Sequence, residues 1–261
     1  SMSQNNKTIW SEGMFLGPHH FQQHDRYLES RIENRCAPIR PCSWGLSRLD
    51  IDTKLLSLGK FGLAAARGVF PDGTPFAIPE EDATPDPVDI DGNVRDRLLF
   101  LTLPLFRAGQ PFTGPLDDTT GTTRYIRSEE EVLDQNAGDN TLEIVETGKL
   151  RLGFSLDADE LSGFSAIPIA RIREVRSDNV VVLDESFIPP MLSCQADIRL
   201  KGFIRELQGL LNQRGDSLGG RFLQSSQAGA SAIADFLLLQ TVNRYEPVIT
   251  HYDNLEGLHP E

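Results

Sequence analysis

The sequence is short of positive charge. Its 261 residues carry 25 Lys and Arg against 38 Asp and Glu, a formal net charge of −13. A protein whose main partner is a nucleic-acid backbone shows a basic stripe, so nucleic acid is excluded as that partner. The same deficit argues against docking on anionic lipid. Long hydrophobic runs are missing as well. The run Phe236–Leu239 is as long as any, far below the roughly 20 residues that span a bilayer. The polar opening SMSQNNKTIW has no apolar core of a secretory signal, and Ser1-Met2 reads as a protease scar before the native start. Cysteine is scarce: Cys36, Cys42 and Cys194 are an odd number and form no CxxC. That excludes a disulfide framework and a zinc knuckle, and leaves reduced, partly buried thiols. The expectation is an acidic, cytoplasmic protein with no direct membrane insertion.

Catalytic signatures are also lacking. There is no GxSxG, no P-loop and no GxGxxG. Gly215 and Gly219-Gly220 follow no strand and suggest a kink or close helix approach rather than phosphate binding. His20 and His24 stand four apart and share a helix face, but HExxH is absent and no third acidic ligand has a compelling spacing. Capping or packing is the better reading of these histidines. In the acidic stretch Asp86–Asn93 a calcium loop counted from Asp89 would need Gly at its sixth position, where Val94 stands, and would lack its closing glutamate. The chain therefore reads as no enzyme, with no metal and no cofactor.

What is present is a change of pattern along the chain. Gly17-Pro18 is a helix start, and Phe21, His24, Leu28, Ile32 and Arg35 fall on one face, predicting a helix from Pro18 to Arg35 that Pro38 and Pro41 end. Between residues 44 and 186 short β-prone runs recur. Strands are expected near Trp44–Ile51, Lys60–Phe70, Leu98–Phe106, Thr122–Leu133, Leu142–Leu156, Ala166–Arg176 and Val180–Leu183. Turns are expected at Pro71–Thr74 and Arg176–Asn179. No long helices intervene, which indicates an antiparallel β-sandwich. The acidic stretch Pro79–Asp96 reads as a solvated loop.

After Ile188-Pro189-Pro190 helical periodicity takes over. Leu200, Ile204, Leu207, Leu211, Arg214 and Leu218 step by fours and threes, an a/d seam broken by one arginine. Arg214 either snorkels to water or pairs with Asp216 or Asp235. A second helix follows the small-residue stretch Ser225–Ala232, with Leu237 continuing the spacing. Two amphipathic helices form a hairpin but cannot close a core alone, so the seam is expected to be buried within the protomer or between copies. The fold class is mainly β with α: a sandwich with an N-terminal helix, then a helical hairpin.

The stretch Ile9–Leu28, IWSEGMFLGPHHFQQHDRYL, closely resembles the opening of the TssK (ImpJ, VasE) family of type VI secretion baseplate components, usually WSEGMFLxPQHFQQxDRYxE. His19 stands where Gln is common. Gly59-Lys60-Phe61, Gly68–Phe76, Ile78-Pro79, Leu101–Pro104 and Leu258–Glu261 also resemble that family, so the likeness spans the chain. It implies a β-sandwich shell similar to phage receptor-binding proteins, a helical neck and a C-terminal head. It also implies a homotrimer whose shell engages the wedge proteins TssF and TssG and whose head engages the membrane complex of TssL, TssM and TssJ.

The expected division is residues 1–188 as shell and 189–261 as part of the neck, with the head absent and the natural protein continuing beyond Glu261. The expected role is a structural adaptor carrying the wedge-binding half. The alternative is a ligand-binding module of the phage receptor-binding kind. Leu200, Ile204, Leu207, Leu211, Leu218 and Leu237 are the candidate oligomer seam. Trp10, Met14, Phe15, Leu16 and Phe21 are candidates for packing or partner contact, with Trp10, Phe15 and Phe21 expected against the sandwich.

Overall fold

The computed structural model describes residues 5–39, 41–107, 109–116, 118, 121–134, 142–156, 161–224 and 229–261. Helix α1 (Pro18–Cys36) begins where the Gly-Pro signal places it. Pro18 occupies the first turn, where its missing N–H costs nothing. His20 Nδ1 accepts the Gly17 N–H at 3.1 Å, the half of a capping box that Glu or Gln usually supplies; glycine has no side chain to complete the other half.

Twelve strands follow among the described residues: β1 (Gly45–Ile51), β2 (Lys60–Phe61), β3 (Leu63–Val69), β4 (Pro75–Ile78), β5 (Val88–Asp89), β6 (Arg95–Pro104), β7 (Thr113–Leu116), β8 (Tyr125–Leu133), β9 (Leu142–Leu150), β10 (Gly153–Ser155), β11 (Phe164–Val175) and β12 (Val181–Leu183), with a short helix α2 (Thr53–Leu56) after β1. The order β1-β3-β4 forms one antiparallel sheet and β10-β6-β11-β12 another. Both feed one core. Leu46, Ala66, Phe70 and Ile78 come from the first sheet and its turn, and Leu99, Leu101, Ile167 and Ile172 from the second, all fully enclosed. Burying each of the larger side chains contributes about 1.5–3 kcal/mol, and the Ala66 methyl less.

Two hairpins form at the expected turns. At Pro71–Thr74, Gly73 takes φ +85° and donates its N–H to Phe70 O at 2.9 Å, the left-handed position that glycine fills without strain. At Arg176–Asn179, Asn179 takes φ +65° and joins β11 to β12. Pro168 sits in the central strand β11 where the register slips between Pro168 and Ala170. A bulge accommodates a residue that cannot donate to the ladder.

The stretch Pro79–Asp96 is mostly exposed, as expected, but Asp82, Pro85 and Ile90 within it are buried. Asp82 is buried, and its carboxylate accepts the N–H of Ala77 at 3.0 Å and of Leu150 at 3.2 Å. Further on, β5 pairs with β2, Ile90 enters the core and Lys60 meets Asp89 at 2.8 Å. A short apolar pair between acids reads as surface in sequence; its core contact is made only by distant strands.

After β12 the chain returns along the first sheet. Leu46 donates to Pro190 O at 2.8 Å and accepts from Leu192 at 2.7 Å. Gly45 makes that approach possible, since a Cβ there would lie 2.7 Å from Pro190 O. A 3-10 turn (Cys194–Ala196) leads into α3 (Ile198–Gln224) and α4 (Ala230–Asn254). These helices are antiparallel: Arg205 meets Asp253 at 3.4 Å, Gln208 Nε2 donates to Thr250 Oγ1 at 2.8 Å, and Arg221 meets Asp235 at 3.8 Å. Of the connection expected over Ser225–Ala232, residues 225–228 lie outside the described residues. The final residues fold back, with Leu258 O accepting from Cys194 N–H at 2.7 Å and His259 Nε2 donating to Cys42 O at 3.3 Å.

Candidate interaction surfaces

The start of α3 is fixed to the sandwich by charge. Asp197 caps it, accepting from Arg199 N–H at 2.9 Å and Leu200 N–H at 3.2 Å. Arg199 in turn donates to Asp197 and to the carbonyls of Glu185 and Phe187. Burial pushes the Asp197 carboxyl up, and the hydrogen bonds from Arg199 and the backbone outweigh it, leaving the pKa below the ordinary carboxylate value. Burial pushes the Cys194 thiol up, while Cys36 and Cys42 are exposed.

From this anchor the predicted seam divides. Leu200 packs on the sandwich core. Leu218 is fully buried, and Ile204 and Leu211 are half-buried. The line that meets α4 runs through Gln208, on Thr250, and Gly215, whose Cβ position lies 3.4 Å from Val242. Leu207 and Arg214, one position earlier in each case, turn about 100° away. Leu207 is exposed, and with Phe203 and Leu210 it forms an apolar strip on the open face. Arg214 is exposed on that same face, and Asp235 is engaged by Arg221 instead. On α4, Leu237 is exposed beside Ile233. A second stripe at Leu238, Thr241, Tyr245, Val248, Tyr252 and Leu255 steps by threes and fours and is exposed throughout. Sequence reading missed it, although the spacing is there to be counted.

The opening motif differs from expectation. Trp10, Phe15 and Phe21 do not pack against the sandwich. Phe15 is 97% exposed, Trp10 and Phe21 are about half exposed, Leu16 is exposed and Met14 half-buried. Trp10 rests on α1 itself, 5.8 Å from the His24 ring, 6.2 Å from Phe21 and 6.4 Å from His20. The segment runs back along the first two turns of α1, where Thr8 Oγ1 donates to His20 O and Asn6 O accepts from Gln23 Nε2. Its apolar side chains therefore decorate the helix start.

A third exposed apolar group lies on the β8–β9 ribbon: Val132, Leu133, Leu142, Ile144 and Val145, interleaved with glutamates. Alternating acidic and apolar residues was the available signal. Among the described residues no three His, Cys, Asp or Glu are grouped to hold a metal ion, and no helix is long and apolar enough to cross a membrane. The site-forming features are thus surfaces rather than a pocket of reactive groups.

Comparison with known proteins agrees along the chain. The curated TssK1, a type VI secretion system baseplate component of Pseudomonas aeruginosa, is 45% identical over 260 residues. The match takes in all of this chain and 59% of that protein, so the chain spans under two thirds of the relative's length. A crystal structure of TssK superposes with a TM-score of 0.92 at 40% identity, covering 98% of this chain and 58% of that one. TssK in a TssK–TssF–TssG baseplate subcomplex, seen by cryo-electron microscopy, shares the fold with a TM-score of 0.84 at 22% identity, over 98% of this chain and 82% of that one. The profile of the bacterial type VI secretion proteins EvfL, ImpJ and VasE matches residues 20–261, and this chain belongs to that family.

Proposed function

We propose that the chain is a structural adaptor of the type VI secretion baseplate, with residues 1–188 as a partner-binding shell and 189–261 as part of a self-associating neck. The observation that carries this reading is the pair of exposed apolar stripes on α3 and α4, at Phe203, Leu207 and Leu210 and at Leu238, Tyr245, Val248 and Tyr252. Contiguous apolar surface on a helical hairpin marks an interface. Heptad spacing suits helices of other copies, and a homotrimer is the proposed state. Leu207 and Leu237 would then join the half-buried seam residues between copies.

The wedge proteins TssF and TssG are the proposed partners of the shell and its opening motif. That proposal draws on the relatives found in complex with them. The link to the TssL/TssM membrane complex is assigned to the part of the family's length outside this match. Light scattering of the purified chain with and without a TssF–TssG complex tests the reading. Trimer mass and co-elution are expected; a monomer that leaves TssF–TssG unbound would refute it.

A further inference from the structure

A cleft of about 890 Å³ separates α1 from the sandwich, within the size range of ligand-binding clefts. Its floor is aromatic. Phe106 and Phe112 stack at 4.6 Å between ring centroids, and Phe112 lies 6.1 Å from Tyr125. Phe106 is still 40% exposed. The rim is acidic, with Glu29 and Glu33 on α1 and Glu81 beyond β4. Among the described residues none of these three is in an ion pair.

Of the other charges of the cleft, Asp72, Asp82 and Arg124 are already committed, while Arg26 has no carboxylate partner among the described residues and its Nε is unpaired. Asp72 is held by Arg124 at 2.9 Å, and Asp82 accepts two backbone N–H groups. Arg124 also donates to Pro104 O at 2.6 Å and to Thr74. Arg26 donates to Gln23 at 2.9 Å. The lining thus carries carboxylates in excess, with three of them free of cations. A metal ion does not suit this layout, since no three ligating groups converge among the described residues. Carboxylates spread around an apolar floor suit cations carried on apolar stems.

We propose that this cleft receives an extended lysine- or arginine-bearing segment of a partner protein. An apolar side chain of that segment covers Phe106 and Phe112, and its cations meet Glu29, Glu33 and Glu81. The proposal rests on the reading of the sandwich as the partner-binding half. An acidic segment of the same shape is rejected by the like-charged rim, and the salt dependence of the association rate follows from the same charges.

The test is fluorescence anisotropy of the 261-residue chain with a labelled nine-residue peptide alternating Lys with Leu and Phe, beside its Glu-for-Lys counterpart. The Lys peptide is expected to bind and the Glu peptide not. The variant E29Q/E33Q/E81Q should weaken binding tenfold or more, and F106A, at an exposed position, several-fold. The variant E129Q/E131Q/E146Q on the β8–β9 ribbon, with the same charge change, should leave binding as it was. Equal weakening by the two triple variants reduces the effect to overall charge and overturns the proposal, as does failure of the Lys peptide to bind. A parallel mixture with TssF–TssG judges the adaptor reading separately: loss of that complex with peptide binding intact removes the adaptor and keeps the cleft, and the reverse result removes the cleft and keeps the adaptor.

Discussion

Arg199 grips Asp197 with two nitrogens: Nε lies 3.1 Å from Oδ1 and Nη2 lies 2.5 Å from Oδ2. The pair sits where the sandwich hands over to α3, and it joins the helix cap to the carbonyls of the preceding loop. Replacing Asp197 with Ala should cost about 0.5–2 kcal/mol through the lost cap. Because the carboxyl's pKa is lowered in the folded chain, its contribution is complete above the ordinary carboxylate value and is lost as pH falls through the lowered one. D197N keeps a capping oxygen but not the charge. The stability gap between wild type and D197N, followed by thermal melts from neutral to acid pH, should therefore narrow on acidification. A gap that widens would assign the acid sensitivity elsewhere.

Leu218 and Leu207 share a heptad pattern but not an environment, the first fully buried and the second 45% exposed. L218A should destabilise the hairpin by about 2–5 kcal/mol. L207D should leave the single-chain melt nearly unchanged and abolish the trimer, read as mass by light scattering. An L207D protein that keeps its trimer mass would remove that stripe from the proposed seam.

Arg124 is 9% exposed and ties Asp72, Thr74 and Pro104 together. R124M should cost about 3 kcal/mol, the lower end for breaking a buried ion pair because Asp72 retains some water. The double variant R124M/D72N should recover part of the loss, since no buried charge is left alone. Denaturant midpoints of the four proteins give the coupling.

The opening segment touches α1 rather than the sheets. Proteolytic removal of residues before Gly17 should fray the first two turns of α1, where Thr8 meets His20 and Asn6 meets Gln23, and leave the main melting transition unchanged. It should also lower the affinity for TssF–TssG. An early loss of the main transition would show that the segment supports the core after all.

Much of this architecture is written locally. The α1 start at Gly17-Pro18, the turns at Gly73 and Asn179 and the strand runs of β6 and β11 follow from backbone preferences and period-two patterning, which act over a few residues. The sequence alone also set the helical spacing after Pro190 and, through the IWSEGMFLGPHHFQQ stretch, the family. Which side of each pattern is buried was a tertiary decision. Leu218 and Leu207 have equivalent spacing, and only the antiparallel pairing of Gln208 with Thr250 and Gly215 with Val242 turns one inward and the other out. Asp82 looks like one more surface acid until Leu150, 68 residues away, brings its N–H to it. Trp10 and Phe15 look like core residues until α1 intervenes. A side chain's chemistry belongs to its position in the chain, but its burial depends on partners that arrive from elsewhere, and one helix or strand can bury only the face its neighbour covers.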